Sequence, residues 1–325
     1  MNILLVDDSA FMLDFLPVIL EQAGYCEVSL ADTGAAALNM IAAAEQKYDC
    51  FLLDIDMPKM DGITLCRRIR EMEDYSTTPI IMLTQKSEIK FVEGAFAAGA
   101  NDYITKPFDI KEIGNRLRVA DRMKQSTFDA LLVEPGELPE DGDKGVHNFA
   151  LEDAVHVIKT ERLVTSFSLG NYLSKLSRTQ LNECQIFAVR VDNIENLYNS
   201  CNSRDFASVL SAVNTAIVEA SKCPKLLVSH VGNGTFLCIS VGDSLPLWPQ
   251  SEVLIQEHVD NSSVAKKFAD EMMITISVGK SILPSSSRNQ RVMLSFDRAI
   301  QRVAARQQAK LKSVARDASR LTVVY

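Results

Sequence analysis

Along roughly the first 120 residues, short apolar runs alternate with segments of helical spacing. The runs are NILLV (2–6), VSLA (28–31), CFLLDI (50–55), PIIMLT (79–84) and DYIT (102–105). Between them, at 11–23, 34–46, 62–73, 88–98 and 109–122, apolar residues recur every three or four positions, as Leu65, Ile69 and Met72 do. A strand-length run followed by a helix-length period, repeated, predicts βα units and a parallel α/β sheet. Gly34 and Gly99 fall where helices start or stop.

The pattern changes after residue 123. EPGELPEDGDKG (134–145) is rich in Pro and Gly, acidic and almost free of apolar residues, so 124–165 is expected to be a helical and acidic linker. Residues 148–182 return to helical spacing, with Leu169, Leu173 and Leu176 on one face. Beyond it QIFAVRV (185–191) reads as a strand and 203–221 as a helix striped by Phe206, Val209, Leu210, Val213 and Ile217. KLLVSHV (225–231) and TFLCISV (235–241) flank Asn233-Gly234, the favoured pair for a type I′ hairpin. MMITISVGKSIL (272–283) reads as a further strand and 292–316 as a basic amphipathic helix. The order β-α-β-β-…-β-α predicts an α+β unit with an antiparallel hairpin. No internal repeat is visible.

Composition adds limits. A chain of 325 residues, 47% hydrophobic and 23% charged, has room for two cores. A net charge of −8 argues against broad, non-specific binding to DNA, which is not expected as a partner. The 7 Cys include no CxxC and sit mostly in apolar runs, as buried thiols of a reducing compartment would. The 4 His have no metal-ligand spacing. There is no bilayer-length apolar run and no basic segment before the first strand, so a cytoplasmic protein without membrane contact is expected.

An open parallel sheet presents its working groups at the C-terminal ends of its strands. There this chain places Asp7-Asp8 after the first strand, Asp54 at the end of the third, Thr84 at the end of the fourth and Lys106-Pro107 after the fifth. Clustered carboxylates repel unless a cation neutralises them, and a hard divalent ion such as Mg²⁺ suits oxygen ligands. The motifs VDDS (6–9), LLDIDMPKMDG (52–62), IMLT (81–84) and YITKPF (103–108), in this order and spacing, resemble a response-regulator receiver domain over residues 1–123. The resemblance implies a flavodoxin-like five-stranded parallel fold. It implies Asp54 as phosphoacceptor, and Mg²⁺ held by Asp7, Asp8, Asp54 and the Asp56 backbone carbonyl. Thr84 and Lys106 would contact the phosphoryl group, Tyr103 would be the switch residue, and the Lys106-Pro107 bond would be cis. Gln85 stands where the family usually has a smaller residue, and Asp56 and Lys86 occupy positions that tune dephosphorylation.

Residues 166–325 resemble a GGDEF domain, the diguanylate cyclase fold, an α+β nucleotidyl-cyclase-like architecture. The resemblance rests on FAVRVDNIENL (187–197), VLSAVNTAI (209–217), SHVGNGTFLCI (229–239), ITISVGKSIL (274–283) and FDRAIQRVAARQQAK (296–310). Cyclase chemistry needs carboxylates to hold two divalent ions. The hairpin motif here reads Gly232-Asn233-Gly234-Thr235, with Gly234 and Thr235 at the two acidic positions. Arg190 falls on the first metal-binding Asp and Asp192 on the second. Cys223 and Leu226 replace the product-inhibition pair. The domain is therefore expected to be degenerate, without turnover, and to act by protein contact or as a homodimer. Seven basic residues, Arg298, Arg302, Arg306, Lys310, Lys312, Arg316 and Arg320, are expected to form a solvated helix face.

The expected function is a two-component response regulator, phosphorylated by a histidine kinase or phosphotransfer protein. A phosphorylation-controlled diguanylate cyclase with atypical ligands and a transcriptional regulator are the alternatives.

Overall fold

In the computed structural model the described residues are 1–85, 89–107, 110–125, 131–158, 160–223, 225–242, 248–268, 273–286 and 290–321. The chain divides into two units, Met1–Asp129 and Ala130–Tyr325.

The first unit alternates β1 (Ile3–Val6), α1 (Ala10–Gln22), β2 (Val28–Ala31), α2 (Gly34–Ala43), β3 (Cys50–Asp54), α3 (Gly62–Arg70), β4 (Ile80–Thr84), α4 (Ile89–Ala97), β5 (Asp102–Thr105) and α5 (Ile110–Gln125). The five strands are parallel, in the order β2-β1-β3-β4-β5. Every residue of β1, β3 and β4 is buried. Helices cover both faces of such a sheet, which is why these strands read as unbroken apolar runs. Chain order reverses between β1 and β3, so a crevice opens at their C-terminal ends. Two helix starts are capped by side chains: Thr33 accepts from Ala36 N–H and Asp61 from Thr64 N–H. Arg70 closes the opposite end of the sheet, donating to the carbonyls of Gly99, Tyr75 and Thr78 and to Asn101 Oδ1.

The second unit contains β6 (Leu131–Val133), β7 (Val155–Val157), α6 (Ser166–Lys175), α7 (Arg178–Glu183), β8 (Cys184–Val191), α8 (Ile194–Ser200), α9 (Ser203–Ser221), β9 (Leu226–His230), β10 (Thr235–Val241), α10 (Gln250–Asn261), α11 (Ser263–Phe268), β11 (Ile276–Val278) and α12 (Arg291–Leu321). Four strands form an antiparallel sheet in the order β11-β8-β10-β9. The stripe foreseen on α9 is buried in one core with Phe187, Val189 and Val191 of β8 and Phe236 and Cys238 of β10. At Gly279, beside α12, an added Cβ would lie 2.9 Å from the Val303 nitrogen.

Three expectations are corrected here. Much of the segment read as a linker is folded into the second unit. β6 pairs in parallel with β7, and Val133, Phe149, Val155, Val157 and Leu163 are buried in the α9 core. These apolar residues are scattered among polar ones, so neither composition nor the helical spacing read from 148 onward revealed their common destination. Among the described residues of 148–182, helix is confined to α6 and the short α7. Among the described residues of the strand expected over 272–283, only Ile276–Val278 is regular, with an isolated bridge from Ile282 to Ile186; residue 272 lies outside the described residues.

Candidate functional site

The crevice at the ends of β1 and β3 gathers Asp7, Asp8 and Asp54, whose carboxylates offer oxygens all within 4.8 Å of one another. Asp7 and Asp54 are buried and Asp8 is exposed. Lys106 Nζ lies 2.7 Å from Asp54 Oδ1 and 2.6 Å from Asp7 Oδ2, neutralising part of this charge. Its backbone is held by a 2.7 Å bond from Lys106 N–H to the Thr84 carbonyl. Burial pushes the Asp54 carboxyl up; Lys106 opposes this, Asp7 and Asp8 add to it, and the balance lies above the ordinary value. Burial pulls the Lys106 ammonium down, but its two carboxylate partners outweigh this and hold it above its usual range. The donor set suits a hard cation: three carboxylates exceed the charge that one ammonium can balance.

Neighbouring residues complete the site. Thr84 is buried at the end of β4, and the Lys106-Pro107 bond is cis. The Tyr103 ring is buried, edge-on to Phe96 at 6.2 Å, and burial followed by the Asp102 charge pushes its hydroxyl up to about 12. Asp56 lies exposed in the loop after β3, and Gln85 is exposed after Thr84. Lys86 lies outside the described residues. One site residue was not foreseen. Gly62 donates to the Ile55 carbonyl, and any Cβ there would stand 2.0 Å from the Asp54 carbonyl oxygen. Its place in the run MDG was the available signal.

Residues 3–118 match the family model of the response regulator receiver domain. The first unit is a response-regulator receiver domain. Among curated relatives, the DNA-binding dual master transcriptional regulator RpaA of Synechocystis is 35% identical over 141 residues, 42% of this chain and 57% of its own length. The transcriptional regulatory protein SrrA of Staphylococcus aureus is 42% identical over 127 residues, 39% of this chain and 50% of its own. This chain thus spans about half the length of the curated relatives it matches. These names do not support the expectation that DNA is excluded as a partner. Among solved structures, chemotaxis protein CheY4 of Vibrio cholerae is 31% identical, covering 37% of this chain and 97% of that one, with a TM-score of 0.35. The receiver domain of a Pseudomonas aeruginosa sensor histidine kinase, with magnesium in its active-site cleft, is 34% identical, covering 38% and 98%, with a TM-score of 0.34. Among the described residues no helix is long and apolar enough to cross a membrane.

Outside the receiver domain, the β9–β10 hairpin turns through Asn233 and Gly234 with φ of 50° and 59°, and Thr235 N–H bonds the Gly232 carbonyl at 2.9 Å. Positive φ at both central residues is the type I′ requirement. Thr235 stands opposite Arg190 across the β10–β8 ladder and its Oγ1 accepts from Arg190 Nε at 2.9 Å. Asp192 Oδ2 lies 3.1 Å from Lys310 Nζ of α12. The segment expected to be a linker lies across the turn. Asn233 N–H donates to the Leu151 carbonyl at 2.7 Å, a Cβ on Gly232 would meet the Glu152 carbonyl oxygen at 2.0 Å, and Val155 N–H donates to His230 Nδ1 at 3.0 Å. The basic face of α12 is not merely solvated. Arg302 donates to the carbonyls of Lys280 and Ser281, Arg306 pairs with Glu252, and Lys310 pairs with Asp192. The side chains of Arg316 and Arg320 lie outside the described residues.

Proposed function

We propose that Asp54 of this response regulator accepts a phosphoryl group from a histidine kinase or phosphotransfer protein and thereby switches a non-catalytic, GGDEF-like output unit. The observation that carries the first half is the Lys106 ammonium bridging Asp54 and Asp7 inside a cluster of three carboxylates. In transfer from phosphohistidine, an Asp54 oxygen attacks phosphorus, a P–O bond forms, the P–N bond breaks and imidazole leaves with the electron pair. Lys106 and the Thr84 hydroxyl then stabilise the added oxygens. Asp7, Asp8, Asp54 and the Asp56 carbonyl are the groups that would hold Mg²⁺, which supplies charge neutralisation for the incoming phosphate. Changed contacts at Thr84 and Tyr103 shift the receiver between two populations. Asp54→Asn should abolish labelling by acetyl phosphate, and persistent labelling of that variant overturns the assignment.

For the output unit, the Arg190–Thr235 hydrogen bond supports loss of turnover, because a guanidinium and a hydroxyl stand where carboxylates would hold ions. The chain lying across Gly232 and Asn233 supports the same reading. Activated protein incubated with GTP and Mg²⁺ should yield no cyclic dinucleotide; product formation overturns this half. The unit then acts through protein contact, in the cytoplasm. The names of the two relatives favour one other reading, a transcriptional output, which a salt-dependent shift of duplex DNA would carry instead.

A further inference from the structure

β11 is the outermost strand of the second unit's sheet, with β8 on its inner side. On that side Thr275 accepts from Asp192 N–H, Ser277 stands opposite Arg190, and Gly279 donates to the Ala188 carbonyl. By the period of two, the backbone groups of Ile274, Ile276 and Val278 point outward. An outer edge of this kind normally stands ready to pair with another strand.

Here it does not. Gln256 Nε2 donates to the Ile274 carbonyl at 2.9 Å, and its Oε1 accepts from Ile276 N–H at 2.9 Å. Lys310 Nζ donates to the Ile276 carbonyl at 2.6 Å. Glu252 Oε2 accepts from Val278 N–H at 2.8 Å, and Trp248 Nε1 donates to the Val278 carbonyl at 3.0 Å. The five consecutive outward groups, from the Ile274 carbonyl to the Val278 carbonyl, all have side-chain partners. Arg302 Nη1 continues the series at the carbonyls of Lys280 and Ser281. Gln256 and Glu252 sit one turn apart on α10, so they reach alternate residues of a strand: a helical turn rises about 5.4 Å, and two strand residues about 6.8 Å. Arg306 holds Glu252 in place with contacts of 2.6 and 3.0 Å, and its guanidinium lies over the Trp248 ring at 5.5 Å. The opposite edge is closed differently. There backbone covers β9, with Val164 N–H bonded to the Val228 carbonyl and Val228 N–H to the Arg162 carbonyl.

We propose that Trp248, Glu252, Gln256 and Lys310 form a side-chain seal on the β11 edge that keeps a second copy of this chain from adding its own strand there. The proposal rests on the hydrogen bonds of the edge and not on the cyclase-like reading of the unit. Its consequence for output is that contact with a partner or a second copy runs through helix faces or loops, not through strand addition at either edge. The polar caps also explain a sequence feature: a tryptophan just before α10, and a glutamate and a glutamine at successive four-residue steps on it, serve the strand.

Sedimentation velocity and hydrogen exchange on the full chain test this. In Glu252→Ala/Gln256→Ala, the Ile276 and Val278 amides should exchange faster and self-association should tighten, by about tenfold for each backbone hydrogen bond that a second copy makes with the edge. A peptide of residues 274–280 should compete with that association. Gln256→Met is the milder variant, removing the partners of the Ile274 carbonyl and the Ile276 N–H while keeping the volume, and should show the same direction should the double variant unfold. Glu252→Gln keeps an acceptor for Val278 and should remain at the parent's association state. Faster exchange without association, or no change in either, overturns the proposal.

Discussion

Val155 donates its backbone N–H to His230 Nδ1, so the neutral imidazole carries its proton on Nε2. The ring is buried, and protonating Nδ1 would set two donors against each other. Burial of the ring lowers the pKa of His230 from 6.5 to about 4, and the bond from Val155, which only the neutral ring can accept, acts in the same direction. The unfolded chain takes up a proton below its ordinary pKa of 6.5 while the folded chain does not until about 4. This contribution to stability is therefore whole above pH 6.5 and lost as pH falls toward 4. The full span is on the order of 3 kcal/mol. Melting the full chain from pH 7 downward should show the unfolding of the second unit shifting to lower temperature through this window, and His230→Gln, which retains an acceptor for Val155, should flatten the fall. An unchanged slope would remove His230 as its cause. At this scale the sequence showed only a histidine in an apolar strand; nothing in VSHV revealed that the partner lies 75 residues upstream.

At the scale of elements, the turn Gly232-Asn233-Gly234 was legible from local chemistry and its surroundings were not. Asn-Gly between two apolar runs specifies a hairpin, but the register Phe236↔His230, with Val231 N–H bonded to the Thr235 carbonyl, takes Gly232 into the turn as a third residue. The first glycine answers to a long-range contact. Gly232 has φ +85° and faces the Glu152 carbonyl oxygen, with 2.0 Å left for a Cβ. Gly242 has φ +94° but no atom within 4 Å of its Cβ position. Both alanine substitutions meet the left-handed penalty of about 1–2 kcal/mol, and only Gly232→Ala must also push the segment at 150–153 off the turn. Denaturant unfolding should show Gly232→Ala the more damaging by about 2 kcal/mol or more. Equal losses would show that the contact contributes nothing. In the receiver domain the corresponding close approach is Gly62 against Asp54, at the foot of the acidic site.

For the whole molecule, the two units differ in how their boundaries are written. The receiver domain is built from consecutive βα units, each visible as a run followed by a period, and its site residues stand at the ends of those runs. The second unit recruits residues from before α6, its first long helix. Val133, Phe149, Val155 and Val157 enter the α9 core, and the His147 ring stacks on Tyr198 at 4.0 Å. Full burial of four such apolar side chains contributes about 1.5–3 kcal/mol each, a sum comparable to the roughly 5–15 kcal/mol net stability of a domain. A fragment of residues 166–325, the boundary that the cyclase resemblance suggests, should accordingly fail to melt cooperatively, whereas residues 130–325 should do so. Cooperative melting of the shorter fragment would show that the added segment is dispensable.

The sequence by itself determined the parallel βα units of the receiver domain, the carboxylates and lysine at their ends, and the hairpin at Asn233-Gly234. These are carried by period, by residue type at strand ends and by turn chemistry, all of which act over a few positions. Tertiary structure alone decided that Leu151, Glu152 and Val155 lie over the hairpin, that Arg302, Arg306 and Lys310 of α12 pair inward, and that β11 is capped by side chains. Those outcomes depend on hydrogen bonds and burial between residues tens of positions apart, such as Glu252 with Arg306 and Lys310 with Asp192. Such pairs leave no periodic trace, because only the folded chain brings them together.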